Sequence, residues 1–234
     1  MTALQLDVWS DIACPWCYVG KRRLEAAIAD YDGEITVRWR SFELDPRAKA
    51  ENSPDVNYVD RLAKKYGRSR LEAQSMIDGM TQTAAAEGLD FHFEKIRAGN
   101  TFDAHRVLHL AHEHGKQNAL KERLFAAYLE EGALMSDADT LVRLAADVGL
   151  DAELVRACLA SDQYAKEVRA DQAQAAAIGV RGVPFFVVEN RYGLSGAQPA
   201  EAFAGVFEQA AAEKVPVVTP AVTEGAMCGP EGCA

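Results

Sequence analysis

The chain has 234 residues, 49% of them hydrophobic, with a formal charge of −10. That apolar content suffices for a full core, so the chain reads as a soluble globular protein. The acidic balance leaves no basic stripe to neutralise phosphates, which excludes a general nucleic-acid binder.

Met1 to Leu6 is already strand-like, and no charged n-region, apolar h-region or cleavage site precedes it, so a cytoplasmic location and no membrane partner are expected. Leu4 to Ser10 alternates apolar and polar residues as a strand does, and Lys21 to Ile28 switches to helical spacing. Between them stands Cys14-Pro15-Trp16-Cys17. Two cysteines two residues apart, after a strand and opening a helix, describe a thiol redox site. Pro15 fits the first helical position, where a missing N–H costs nothing. Cys14 then caps the helix, where unpaired amides and the positive end of the helix dipole favour thiolate, and its pKa is expected to fall. Cys17 follows one turn on, deeper on the same side. Cys14 is read as the nucleophile and Cys17 as the resolving thiol. Half of a zinc site is the alternative, but neither a second CxxC nor a histidine pair at finger spacing accompanies it, and no metal is assigned. Lys21-Arg22-Arg23 reads as a solvated helix face.

Ile35 to Phe42 reads as a second strand, completing a βαβ unit. From Val56 to Ile178 the pattern is helical, alanine-rich and amphipathic. Segments are expected at Tyr58 to Tyr66, Leu71 to Glu87, Asp103 to His114, Ala119 to Leu129, Asp139 to Val148 and Leu154 to Ala177. Gly67, Gly88, Gly115, Gly132 and Gly149 punctuate them, and Ser136 or Asp137 caps the fifth. These helices are expected to form a lid over the CxxC face. Cys158 falls on an apolar helical face and reads as a buried structural thiol. His105, His109 and His112 approach helical spacing but lack a carboxylate with a clear ligand role.

Gly179 to Val188 then leads from a helix end through a turn into an apolar strand, with Pro184 placed to be cis. Tyr192 to Ser195 and a helix from Pro199 to Glu213 complete the sheet. Trp9, Trp16, Phe185 and Phe186 supply either an apolar rim to the site or core aromatics. After Lys214 the chain reads as a mobile tail ending in Cys228-Gly-Pro-Glu-Gly-Cys233-Ala. A loop this short gains little from closure entropy, so Cys228 and Cys233 read as a second redox pair rather than a staple, with soft-metal binding as the alternative.

Four runs, in family order, carry a resemblance: Asp11 to Gly20, Asn100 to Arg106, Gly182 to Phe186 and Ser195 to Pro199. In them the chain resembles the DsbA-like branch of the thioredoxin superfamily, and within it the FrnE-type oxidoreductases. The resemblance implies an α/β thioredoxin-like fold with a large α-helical insertion, and thiol–disulfide exchange on protein disulfides, as oxidoreductase or isomerase, without a bound cofactor. Residues 1–55 and 179–214 would form the thioredoxin-like domain, 56–178 the insertion and 215–234 the CxxxxC tail. Val183, before Pro184, would offer its backbone to an extended substrate, with Trp16, Phe185 and His105 lining the cleft. Proteins with disulfides or thiols, and low-molecular-weight thiols, are the expected partners, with the oligomeric state open. The 2-hydroxychromene-2-carboxylate isomerases resemble the same fold and use glutathione, but typically carry serine where Cys14 stands. A soft-metal-binding stress protein is the non-enzymatic rival.

Overall fold

The structure, a computed structural model, describes residues 3–51, 57–213, 228–229 and 232–233. Strands β1 (Leu4–Ser10), β2 (Ile35–Ser41), β3 (Phe185–Val188) and β4 (Tyr192–Ser195) form one sheet in the order β2-β1-β3-β4. Helix α1 (Pro15–Ala29) carries the chain back across the sheet, so β1 and β2 are parallel, whereas β3 is antiparallel to β1 and β4. The period-two pattern of β1 is used on both faces. Leu4, Leu6 and Val8 pack with Leu24 of α1, Phe186, and Phe203 and Phe207 of α9 (Ala200–Ala212). Trp9, on the other face, joins a second core shared with the helices inserted between β2 and β3. At Gly20 α1 comes close to the sheet: a Cβ there would lie 3.1 Å from Pro184 Cγ and 3.3 Å from Phe186 Cζ.

The insertion comprises α2 (Tyr58–Tyr66), α3 (Arg70–Ala86), a 3-10 turn at Phe93–Lys95, α4 (Phe102–Glu113), α5 (Gln117–Leu129), α6 (Ala138–Asp147), α7 (Ala152–Leu159) and α8 (Ala165–Ala177). This is the expected thioredoxin-like fold with a helical insertion. The expected boundary at 55/56 lies outside the described residues. Local chemistry sets the helix ends. Ser69 and Glu72 form a capping box on α3, and Asp137 accepts from the Thr140 amide to start α6.

Polar side chains fasten the insertion to the edge strand β2. The Gln117 amide accepts from the Trp39 N–H at 3.0 Å and donates to the Trp39 carbonyl at 2.9 Å, pairing as a neighbouring strand would. Asp171 accepts from the Ser41 N–H at 2.9 Å and from Arg40 at 3.1 Å, and its Oδ2 lies 3.1 Å from His109 Nε2. Burial works to raise the Asp171 carboxyl, but His109, the Ser41 amide and Arg40 hold it below its ordinary value.

Two expectations are corrected. The single helix over 154–177 is two, α7 and α8, broken at 160–164, where Tyr164 takes φ 62°. The buried Arg106 makes the break tolerable: it donates to the carbonyls of Cys158, Ser161 and Gln163 and pairs with Asp103 at 2.7 Å. Lys21-Arg22-Arg23 is not a solvated face. Lys21 is buried between Glu25 at 2.5 Å and Glu122 at 2.6 Å, Arg22 pairs with Glu122, and Arg23 with Glu87 at 2.6 Å. The run clamps α1 to α5 and to the end of α3.

Arg106→Ala strands three carbonyls at the α7–α8 junction and should cost about 2–4 kcal/mol in urea unfolding. An unchanged midpoint would show that water already satisfies them.

Candidate active site

β1 ends at Ser10, and the chain turns through Asp11-Ile12-Ala13 so that the Cys14 N–H donates to the Asp11 carbonyl at 3.2 Å. Cys14 is then the N-cap of α1, with φ −97° and ψ 112°, and Pro15 occupies the first helical position. No side chain caps this turn and no acidic residue lies in it, which leaves its amides available to a sulfur at Cys14. The Cys17 N–H donates to the Cys14 carbonyl at 3.1 Å. Across the sheet, Trp9 of β1 pairs with Phe185 of β3, which brings the segment before β3 beside the turn after β1. There the Cys14 thiol donates to the Val183 carbonyl at 3.5 Å, and the Val183-Pro184 peptide is cis, as the sequence suggested.

Cys14, Cys17 and Val183 are each 0% exposed. Burial pushes the Cys14 thiol well above its ordinary range, and the neighbouring Cys17 and the Asp11 carboxylate add to it. The expected depression at the helix N-terminus is therefore overturned. Loss of hydration outweighs the hydrogen bond from the Cys17 amide.

Beneath the pair lies a group the sequence reading missed. Lys121 of α5 is 0% exposed, and its Nζ has no hydrogen-bond partner among the described residues. It sits 4.8 Å from the Phe125 ring centre and 5.6 Å from that of Trp39. Burial lowers its pKa to about 8, against the pull of Cys17, Asp11 and Cys14, with Lys21 adding to the depression. Its signal in the sequence is a lone cation amid Leu120, Leu124, Phe125 and Tyr128, on the apolar side of the helix.

Asp11 completes the cluster, accepting from the Ala13 N–H at 3.3 Å and the Leu44 N–H at 2.7 Å. Burial works to raise its carboxyl, but His105 and the Leu44 amide hold it below its usual value. His105 Nε2 stands 3.5 Å from Asp11 Oδ1. His105, at 1% exposure, is as enclosed as Cys14 and Val183. Of the four aromatics, Trp9 and Phe186 are core, whereas Trp16 and Phe185 are only partly buried. Trp16 and Pro15 border a half-enclosed cavity of about 390 Å³ whose other walls are α2, α3 and Phe93.

Cys158 is buried as expected. Of the tail, Cys228–Gly229 and Gly232–Cys233 pair as two short antiparallel strands, β5 and β6, with Cys228 opposite Cys233. The expected mobility of residues 214–227 lies outside the described residues.

The arrangement can carry thiol–disulfide exchange: a dithiol at a helix N-terminus, a backbone carbonyl on the leading sulfur, and a buried amine and carboxylate beneath. Lys121→Met should raise the unfolding free energy at pH 7 by about 1–3 kcal/mol, since a folded pKa below the unfolded one means that burial of the ammonium destabilises the fold. The penalty is complete below pH ~8 and fades toward the unfolded lysine value, so the gain in urea melts should shrink as pH rises from about 8 to about 10.5. A gain independent of pH would mean that the ammonium is not the source.

Similarity to known proteins follows the same lines. A probable DsbA oxidoreductase, SCO1869 of Streptomyces coelicolor, matches with 45% identity and a TM-score of 0.84 over 99% of this chain and 98% of its own. An uncharacterised Bacillus subtilis protein, YwbO, is 29% identical over 90% of this chain and 97% of its own. The cytosolic disulfide reductase DsbM of Pseudomonas aeruginosa, at 17% identity and TM-score 0.59 over 88% of this chain and 97% of its own, shares the fold alone. Among the described residues no helix is long and apolar enough to cross a membrane. The family model of the DSBA-like thioredoxin domain matches residues 5–208, and the chain belongs to that family of thiol–disulfide oxidoreductases.

Proposed function

We propose that the protein reduces and isomerises disulfides of other proteins, as an FrnE-type member of its family, with Cys14 as nucleophile and Cys17 as resolving thiol. The observation that carries the reading is the Cys14 thiol seated on the Val183 carbonyl at the head of α1. A Cys14 thiolate attacks one sulfur of a substrate disulfide, forming a mixed disulfide and releasing the other sulfur as thiolate. The Cys17 thiolate then attacks Cys14 Sγ, forming the Cys14–Cys17 disulfide and releasing the second substrate thiolate. Two electrons pass to the substrate. A low-molecular-weight thiol returns the enzyme to its dithiol. Val183 and Pro184 hold the extended substrate, with Trp16 and Phe185 beside it.

The elevated Cys14 pKa supports this direction, because when the reduced pair is not stabilised as a thiolate its disulfide is a poor oxidant of other thiols. The same chemistry is served by a cytoplasmic setting, where the thiol pool keeps such a pair reduced and a lone buried thiol such as Cys158 is ordinary. Cys14 and Cys17 both being cysteine speaks against a glutathione-dependent isomerase, whose chemistry needs no resolving thiol. The direct opposition of Cys228 and Cys233 in the β5–β6 register supports an accessory redox pair, since opposed antiparallel residues have Cα separations that a disulfide spans.

In insulin reduction and scrambled-ribonuclease reactivation, Cys14→Ser should abolish activity, and Cys17→Ser should accumulate a Cys14 mixed disulfide visible by mass spectrometry. Partial loss in the Cys228→Ser/Cys233→Ser double variant would support the accessory pair. A wild type inactive in both assays would end the exchange reading.

A further inference from the structure

The formal charge of −10 conceals one run of the opposite sign. Residues 61–70, which close α2 and turn into α3, hold five cations and no carboxylate, so the rest of the chain carries −15. Arg68 pairs with Glu72 at 3.5 Å and Arg70 with Asp60, on an exposed surface where such pairs hold weakly. Arg61, Lys64 and Lys65 have no ion-pair partner among the described residues, and both lysines are exposed. Helix formation does not ask for this arrangement. Lys64 and Lys65 stand in the last turn of α2, where the helix dipole favours cations, but Arg61 stands near its start, and like charges three and four residues apart repel. The run also lies beside the dithiol. Tyr58, Leu62 and Tyr66, spaced one helical turn apart, border the same cavity as Pro15 and Trp16, and Arg61 and Lys65 follow the first two by three positions, which sets them along that side of α2. Burial pushes the Tyr58 hydroxyl up to about 12, Arg61 pulls it back and Cys14 adds to the rise, so the guanidinium and the reacting sulfur act on one phenol.

We propose that this basic hairpin docks an acidic segment of the substrate polypeptide and so selects disulfides that have aspartates or glutamates a few residues away. The assignment rests on the exchange reading above and deepens it. Charge complementarity names the occupant. An acidic segment is repelled by the negative remainder of the surface and attracted at the hairpin, so it arrives already turned toward Cys14. A nucleic acid or a lipid surface extends beyond one ten-residue run and meets that negative remainder as well. A short acidic stretch does not. Reach agrees. From Tyr58 to Lys65 the helix advances about 10 Å, and extended substrate advances about 3.3 Å per residue, so the recognised carboxylates lie about three to five residues from the cysteine under attack.

The test is single-turnover oxidation of the full-length dithiol enzyme, followed by tryptophan fluorescence. The substrates are peptides dimerised through a central cysteine disulfide, alike except for glutamate, glutamine or lysine at about the third to fifth positions on either side. Each turnover converts one peptide disulfide and the enzyme dithiol into two peptide thiols and the enzyme disulfide, so no other reductant is needed. Rates with dithiothreitol, which is uncharged, correct for the intrinsic reactivity of each disulfide. The corrected glutamate-to-glutamine ratio should be about ten at about 0.01 M salt, with the lysine peptide slowest, and should fall to about one at about 1 M, where the Debye length has shrunk from about 30 Å to about 3 Å. Lys64→Gln/Lys65→Gln should bring the low-salt ratio to about one, whereas Lys166→Gln, which removes an exposed cation of α8, should leave it at about ten. A wild-type ratio of one, a ratio indifferent to salt, a ratio unchanged in the double variant, or equal loss in both variants would each overturn the docking surface. So would binding of phosphatidylglycerol vesicles or of poly(U) that the double variant loses while the wild-type peptide ratio stays at one. No reaction with any peptide would overturn the exchange reading and the docking surface with it.

Discussion

The pairing of Trp9 with Phe185 fixes the geometry on which the site depends. Strand side chains alternate with period two, so a slip of one residue between β1 and β3 would turn Trp9 and Val8 to the wrong faces and expose both cores. With the register held, the turn after Ser10 and the segment before Phe185 arrive side by side, and residues 169 apart in the chain, Cys14 and Val183, meet. Everything else is support for that meeting. Gly20 lets α1 approach Pro184, and α9 backs α1 from the far side.

The insertion does more than cover the dithiol. It supplies the buried ammonium of Lys121, the histidine beside Asp11 and the amide that completes the β2 edge. It also removes water, and this removal shifts Cys14 upward and Lys121 downward together. Both shifts favour the uncharged forms, a thiol above a weakened ammonium. A Cys14 thiolate, once formed, is attracted by the Lys121 ammonium, and in a low dielectric that attraction is strong.

What the sequence reveals of this architecture is what lies close in the chain. Cys14-Pro15-Trp16-Cys17 contains its own strand end, cap and helix start. The segment around Pro184 announces a turn into a strand, and glycines at 67, 88, 115, 132 and 149 end helices because each takes a positive φ. Long-range partners are invisible at that level. Lys21 looks solvated until Glu122, a hundred residues on, is brought against it. The break between α7 and α8 contains neither glycine nor proline; it is stabilised by Arg106, more than fifty residues upstream. The Cys14 pKa was misjudged for the same reason: the helix start is local, whereas the helices that strip its water come from the insertion.

Complete enclosure of Cys14 bears on its chemical lifetime. A sulfenic acid formed on an accessible thiolate advances with further peroxide to sulfinic and sulfonic acids, from which a thiol is not ordinarily recovered. A sulfur held as thiol, at 0% exposure, with Cys17 one helical turn away, offers peroxide little to attack, and any sulfenic acid that forms has an intramolecular thiol to condense with. The enclosure that slows the approach of a substrate also keeps the dithiol within the reversible part of sulfur chemistry.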